Sequence, residues 1–233
     1  MRGSFISLIL SLLAWSVRAS SATPSCSTTQ LCPKDYPCCF EGSCGTGTYC
    51  LGGCDPLMSY SPGACTPKPM GHDRTYTWPD LQRATLNTKY LGDASTLDWE
   101  YTGSPNVTDN HVVLTMPKNS TGTLMSSTQY IWYGGIATDI KSSRGQGVVT
   151  AFILMSDVKD EIDFEWASTW NATSNRYQYP QTPSRMQLSL WPAGRAGSAQ
   201  GTIDWAGGDI DWNSAGIQDQ GYYSASFANI TVR

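Results

Sequence analysis

Three acidic residues alternate along one short segment, Asp160-Glu-Ile-Asp-Phe-Glu165, and their spacing is suited to acid–base chemistry. Successive side chains of a β-strand point to opposite faces, so a strand here places Glu161, Asp163 and Glu165 on one face and turns Asp160 away. Each acid on that face raises the free energy of ionising its neighbours, and strands disfavour Asp and Glu. The arrangement therefore indicates function rather than folding.

A pair of these carboxyl groups fits the cleavage of a glycosidic bond. Retaining glycosidases use two carboxyl groups about 5 to 5.5 Å apart, one attacking the sugar carbon and the other protonating the leaving oxygen. Glu161 and Glu165 lie roughly 13 Å apart along an extended backbone, so their side chains must lean together over Asp163. The charge of Asp163 helps to hold one Glu protonated, as a general acid requires.

Two other interpretations of the acidic segment are a metal site and an acidic surface edge. Hard cations are usually bound by a loop that wraps the ion, whereas a strand presents only one side. The opposite face carries Ile162, Phe164 and Trp166, which are predicted to enter the core and so argue against a mere surface edge. Neither a metal nor a cofactor is expected.

A second segment, residues 185–191, alternates strictly between polar and apolar side chains. One face is predicted to be core, and the other ends in a tryptophan, which suits a sugar-binding cleft. The alternative is an ordinary two-faced strand with solvent outside. The polar face carries Arg185, Gln187, Ser189 and Trp191, and the core face carries Met186, Leu188 and Leu190.

The part of the chain from residue 72 to 233 contains no cysteine and is predicted to be all-β, as a sandwich or jelly roll. Its segments are short, rich in β-branched and aromatic residues, and separated by Gly, Asn and Pro. The segment Leu81 to Tyr90 could hold one helical turn or two. The best strand candidates are His111 to Met116, Gly147 to Met155, Ile162 to Trp166, Arg185 to Trp191 and Ala225 to Val232.

All eight cysteines fall between Cys26 and Cys65, which predicts a small disulfide-held module over residues 26–65. Such a module has few large apolar residues, so cross-links must hold it. Spacing alone does not assign the pairing. Residues 66–71, with two prolines, are predicted to form a stiff linker to the main domain at 72–233.

The first nineteen residues are predicted to be a signal peptide, with Arg2, an apolar run from Phe5 to Val17 and a cleavage site near Ala19. That run is short for a membrane span, and no hydrophobic tail for a lipid anchor follows at the other end. Secretion agrees with the cysteines and with four candidate glycosylation sites. These are Asn106, Asn119, Asn171 and Asn229.

The amino-acid composition indicates which classes of molecule the protein binds. The formal net charge is -4 and charged residues make up 15% of the chain, which argues against a nucleic-acid partner. Nine Trp and twelve Tyr favour carbohydrate, because these side chains combine a flat apolar face with a polar edge. A monomer is expected.

The sequence Glu-Ile-Asp-Phe-Glu resembles the signature of glycoside hydrolase family 16, whose members have a β-jelly-roll fold. The longer run 141–165 resembles the Crh-type branch, fungal enzymes that cross-link chitin to glucan in the cell wall. The resemblance implies Glu161 as nucleophile, Asp163 as assisting residue and Glu165 as acid/base in contact with substrate. It implies a secreted cell-wall enzyme that acts on chitin and transfers it to β-glucan.

The resemblance extends over residues 180–192 and 201–208, which line the sugar cleft in that branch. It implies Gln187, Trp191 and Thr202 as chitin contacts, with Trp205 and Arg185 as weaker candidates. The cysteine segment resembles a hevein-type chitin-binding module with shortened loops. In that module Phe40 and Tyr49 are the stacking candidates, and a purely structural knot is the alternative.

The resemblance is interrupted after the acidic segment. In the family several strands separate the catalytic strand from a Trp-Asn-x-Thr region, but here Trp166 is followed closely by Trp170-Asn-Ala-Thr173. A sandwich that lacks these strands exposes apolar edges. This predicts weak or absent activity, and the alternative function is a catalytically weak or inactive carbohydrate-binding wall protein.

Overall fold

The computed structural model describes residues 23–164 and 183–233. The predicted signal peptide, Glu165, Trp166 and Asn171 lie outside the described residues.

The cysteine module is built around four disulfides. Strands β1 (Cys38–Phe40), β2 (Ser43–Gly45) and β3 (Cys54–Asp55) form a small sheet in the order β2-β1-β3. The two buried clusters of the module consist mainly of cysteines, so cross-links replace an apolar core, as predicted. The pairs are Cys26–Cys39, Cys32–Cys44, Cys38–Cys50 and Cys54–Cys65.

The strands of the rest of the described chain form two sheets. They are β4 (Arg74–Tyr76), β5 (Ala84–Leu86), β6 (Trp99–Thr102), β7 (Ser104–Thr108), β8 (His111–Pro117), β9 (Thr123–Ile131), β10 (Ile136–Lys141), β11 (Val149–Ser156), β12 (Glu161–Phe164), β13 (Ser184–Trp191) and β14 (Tyr222–Val232). One sheet has the order β10-β14-β8-β7, with β4 also paired to β14, and the other has the order β12-β11-β13-β9-β6-β5. Only β5 and β6 pair in parallel among the strand pairs of the described residues.

The apolar core lies between these two sheets and confirms the predicted all-β sandwich. Both sheets contribute fully buried side chains, among them Leu114, Phe227, Met186, Leu188 and Leu190. The last three alternate along β13, so the predicted core face of that strand is confirmed. Burial of one face leaves the other, polar face of β13 for the site.

The prediction that Ile162 and Phe164 enter the core is wrong. Ile162 is 38% exposed and Phe164 is 56% exposed. Among the described residues, their strand β12 is the terminal strand of the six-stranded sheet and pairs only with β11. The ring centroids of Phe164 and Phe152 lie 6.1 Å apart. This contact leaves more than half of the Phe164 side chain exposed. An edge position, rather than a central one, explains the exposure.

Helical structure is minor. The segment from Leu81 to Tyr90 contains strand β5 followed by a single 3-10 turn at Asn87–Lys89. Two short helices that the sequence pattern did not predict are α1 (Gln200–Trp205) and α2 (Ala215–Gln220). Within the described ranges, no helix has the length and apolar character needed to cross a bilayer.

The segment at 66–71 lies against the sandwich and pairs through its backbone with the end of β9. The Tyr130 amide donates to the Pro69 carbonyl at 2.9 Å, and the Gly71 amide donates to the Tyr130 carbonyl at 2.7 Å. Met70 also forms a parallel bridge with Tyr130. These backbone bonds hold the connection between the module and the sheet at the end of β9.

Candidate functional site

One face of the six-stranded sheet carries a row of five directly paired residues from five strands, and four of them are polar. Directly paired residues lie on the same side of a sheet, so the register places them together. Asp163 and Gln187 are two strands apart, roughly 10 Å between backbones. The row consists of Asp163, Ile153, Gln187, Ser126 and Glu100.

The neighbouring row holds Glu161, Met155 and Arg185 in direct register. Glu161 and Asp163 therefore share a face, as the alternation predicted, and both belong to the face that carries Gln187. Glu165 is outside the described residues, so its placement stays a prediction.

The two described acids do not have ordinary carboxyl pKa values. Partial desolvation and then the neighbouring charge of Asp163 raise the pKa of Glu161, while Lys159 partly offsets this. Partial desolvation raises the pKa of Asp163, although both side chains remain exposed. Both effects favour the neutral forms, so these carboxyl groups titrate at higher pH than fully solvated ones.

Arg185, a weaker candidate for sugar contact, is buried in a network of charges. Its guanidinium donates a hydrogen bond to Glu100 and lies 5.9 Å over the ring of Tyr130. Burial opposes the charge of Arg185, but Tyr130, Glu100 and Asp157 outweigh that penalty and raise its pKa. Arg185 therefore remains a cation whose guanidinium is engaged by protein groups.

Asp157 is the centre of this network and was not identified from the sequence. Its buried carboxylate accepts hydrogen bonds from the Tyr130 hydroxyl at 3.0 Å and from the Gly53 amide at 2.8 Å, and it pairs with Lys68 at 2.6 Å. The three partners come from the sheet, the cysteine module and the connecting segment. No local pattern could have indicated this, because Asp157 follows a strand in a position typical of turn residues.

A cavity of about 960 Å³ opens on this face of the sheet. Its sheet-side lining includes Glu100, Ser126 and Gln187, and its other side is formed by residues of the cysteine module. This volume lies at the upper end of the range for ligand pockets and is large enough for an oligosaccharide.

Trp191 lies further along β13 than Gln187, and Thr202 lies in helix α1. Trp191 is four residues beyond Gln187 on β13, roughly 13 Å away. Its ring stacks on Trp205 at 6.4 Å with an interplanar angle of 23°. Thr202 and Trp205 are three residues apart in α1 and so share a helix face. The structure thus groups Trp191, Thr202 and Trp205, and separates this group from the acids.

The three described glycosylation candidates, Asn106, Asn119 and Asn229, are all exposed. Exposure is the condition that attachment of a glycan requires.

Comparison with known proteins identifies one family. The model of glycosyl hydrolases family 16 matches residues 93–177 and 167–207. The chain is 48% identical to Crh-like protein 2 of Aspergillus fumigatus over 97% of this chain and 66% of that protein. It is 43% identical to Crh-like protein 3 of Botryotinia fuckeliana, over 97% and 64%. Congo red hypersensitive protein 2 of Saccharomyces cerevisiae is 35% identical, over 98% and 63%.

The chain spans just under two thirds of the length of these relatives. The alignment with Crh-like protein 2 runs over 290 positions, and 97% of this 233-residue chain is about 226 residues. Within the aligned region, about 64 positions of the relative therefore have no counterpart here. The family match also breaks into two pieces that meet at 167–177. Both findings agree with the interruption predicted after Trp166.

Solved structures show the same fold. The chain matches a Crh5 transglycosylase in complex with NAG with a TM-score of 0.53 and 21% identity, covering 72% of this chain and 87% of that one. The match supports the sandwich fold.

Proposed function

Since this chain belongs to family 16 of the glycosyl hydrolases, we propose that it is a secreted cell-wall enzyme that cleaves chitin by a retaining mechanism and transfers the product to β-glucan. One observation carries the proposal. Glu161 and Asp163 lie on the same sheet face as Gln187, and that face opens on a cavity large enough for an oligosaccharide.

The proposed reaction has two steps. The carboxylate of Glu161 attacks the anomeric carbon, and Glu165 gives its proton to the departing sugar oxygen, so a glycosyl-enzyme ester forms and the glycosidic bond breaks. A hydroxyl of the acceptor glycan then attacks the same carbon while Glu165 takes its proton, and Glu161 leaves as a carboxylate. Water as the attacking group gives hydrolysis, and a sugar hydroxyl gives transfer.

Gln187 is proposed as a chitin contact in this cleft, because it lies in the row of Asp163 and is partly exposed. Trp191 and Thr202 are proposed as contacts further along the chain of sugars, where the stacked pair of Trp191 and Trp205 presents aromatic surface.

Transfer is tested by incubating the protein with chitin oligosaccharide and a fluorescent β-glucan oligosaccharide. We expect a labelled product heavier than the acceptor, detected by mass spectrometry, and sensitive to chitinase. Shortened chitin without a labelled hybrid would indicate hydrolysis as the main reaction, and unchanged substrates would contradict the proposed enzyme.

The pH dependence of activity provides a second test. Glu161 must be ionised to attack, so activity falls as pH falls through its raised pKa. Replacing Asp163 with Asn removes a negative charge that raises this pKa, so the acid limb of the kcat/KM profile should move to lower pH. Replacing Lys159 with Met removes a charge that lowers it, so the limb should move to higher pH. Shifts of the same sign in both variants would contradict the assignment.

A second candidate function is supported by the edge position of β12. The exposed Ile162 and Phe164, together with the positions that relatives have and this chain lacks, favour a carbohydrate-binding wall protein with weak or no turnover. Binding of chitin oligosaccharide without any product in the transfer assay would support this candidate.

A further inference from the structure

The cysteine module and the six-stranded sheet both line the cavity of about 960 Å³. Its lining includes Phe40, Thr48 and Tyr49 from the module and Glu100 and Gln187 from the sheet. We infer that the module is a fixed wall of the cleft, so that one neutral β-linked oligosaccharide contacts Tyr49 and Gln187 at the same time. The inference rests on the proposed function and adds a composite binding site to it.

The module is held to the sheet by contacts that fix its orientation. The Gly53 amide and the Lys68 ammonium both bind the buried carboxylate of Asp157. The backbone of Tyr130 exchanges hydrogen bonds with the segment that follows the module. An unpaired buried carboxylate is costly, so moving the module away from the sheet would leave Asp157 without two of its partners. These contacts therefore favour one position of the module over a flexibly tethered one.

The turn at Gly52 and Gly53 allows this close approach. A Cβ atom on Gly52 would lie 2.7 Å from the guanidinium of Arg185 and 3.0 Å from the Tyr130 hydroxyl. A Cβ atom on Gly53, whose φ is 91°, would lie 2.7 Å from the ring of Phe40 within the module and 3.6 Å from the guanidinium of Arg185. The absence of a side chain at Gly52 therefore lets the module backbone lie against the sheet, and the positive φ at Gly53 is one that glycine adopts readily.

The lining of the cavity has the chemistry of a sugar site. Phe40 and Tyr49 meet edge to face at 6.0 Å and supply aromatic surface, while the exposed Thr48 and Glu41 supply hydroxyl and carboxylate groups. Basic and acidic residues are mixed along the wall, as Glu41, Glu100, Lys159, Arg185 and Arg195. This mixture suits a neutral polymer rather than a polyanion.

The distance between the acids on β12 and the module wall determines which ligands can contact both. The row of residues from Asp163 on β12 to Glu100 on β6 crosses four strand spacings, about 19 Å. A disaccharide bound at the acids does not span this distance, whereas a longer oligosaccharide that follows the row meets the module wall. Dependence on Tyr49 should therefore appear only with increasing ligand length.

The test measures binding by calorimetry in the Glu161→Gln chain, which leaves oligosaccharides intact. Chitin oligomers from the disaccharide to the hexasaccharide form one series, and β-1,3-glucan oligomers of the same lengths form another. Adding Tyr49→Ala should weaken binding of the hexasaccharide roughly three- to tenfold in at least one series, with the disaccharide unchanged. The series that responds identifies the module side of the cleft as the chitin or the glucan side.

Tyr60→Ala is the matched control, because Tyr60 is an exposed tyrosine of the same module that does not line the cavity. Hydrogen exchange of residues 46–51 in the unmutated chain gives a readout independent of folding of the variants. The hexasaccharide should protect this segment, and the disaccharide should not.

Equal weakening of long and short oligomers would mean that the module binds sugar by itself, and would overturn the composite site. So would hexasaccharide binding that is indifferent to Tyr49→Ala and leaves residues 46–51 unprotected. Failure of the unmutated chain to bind either series would overturn the proposed function, and the composite site with it.

Discussion

The Glu161→Gln variant should lose turnover by at least about a thousandfold and keep its affinity for chitin oligosaccharide. The amide has nearly the shape of the carboxylate but cannot form the glycosyl ester. It also removes a charge that partial desolvation and Asp163 already disfavour, so the variant should be no less stable at neutral pH. Product formation is measured by mass spectrometry and affinity by calorimetry.

The matched control is Asp219→Asn, the same change of carboxylate to amide at an exposed position of α2. It should leave both turnover and affinity unchanged. Turnover by Glu161→Gln equal to that of Asp219→Asn would show that Glu161 is not the nucleophile. Loss of affinity together with turnover would point to a contact role instead.

This pair of measurements also separates the two candidate functions. If the protein is an enzyme, turnover differs greatly between the unmutated chain and Glu161→Gln. If it is a binding protein, turnover is already low in the unmutated chain and does not change. The edge position of β12 makes the comparison informative, since the strand that carries the acids is exposed on both faces.

The sequence predicted the parts of the site that depend on alternation. Met186, Leu188 and Leu190 are buried and Gln187 faces the cavity, because a strand with one buried face has only one acceptable register. The shared face of Glu161 and Asp163 follows from the same geometry. The family resemblance gave these positions roles that alternation alone does not assign.

The features that the sequence did not predict are the position of β12 in its sheet and a contact between distant parts of the chain. Phe164 was expected in the core because it alternates with acids, but alternation cannot distinguish a central strand from an edge strand. The pairing of Lys68 with Asp157 joins residues far apart in the chain, and neither has a local signal. The wall formed by the cysteine module depends on that long-range contact, so it could not be predicted either.

The Asp157→Ala variant should lower the free energy of unfolding by about 3 to 5 kcal/mol, because removing one member of a buried charge network leaves the others uncompensated. The Tyr130 hydroxyl and the Gly53 amide lose their acceptor, and Lys68 loses its partner. Urea denaturation followed by tryptophan fluorescence measures the loss. Hydrogen exchange at Gly53 should rise at the same time, because this amide bonds directly to the missing carboxylate.

The control for this variant is Asp139→Ala. Asp139 is exposed on β10 and accepts one hydrogen bond from Asn229 at 2.9 Å, so its loss should cost less than about 1 kcal/mol. A double-mutant cycle with Lys68→Met and Asp157→Asn should show a coupling above about 1 kcal/mol, since the two groups are in direct contact. A loss at Asp157 no larger than at Asp139, with no coupling to Lys68, would mean that the module is not held by this network. The cleft would then lack its fixed wall, and its sugar contacts would be those of the sheet alone.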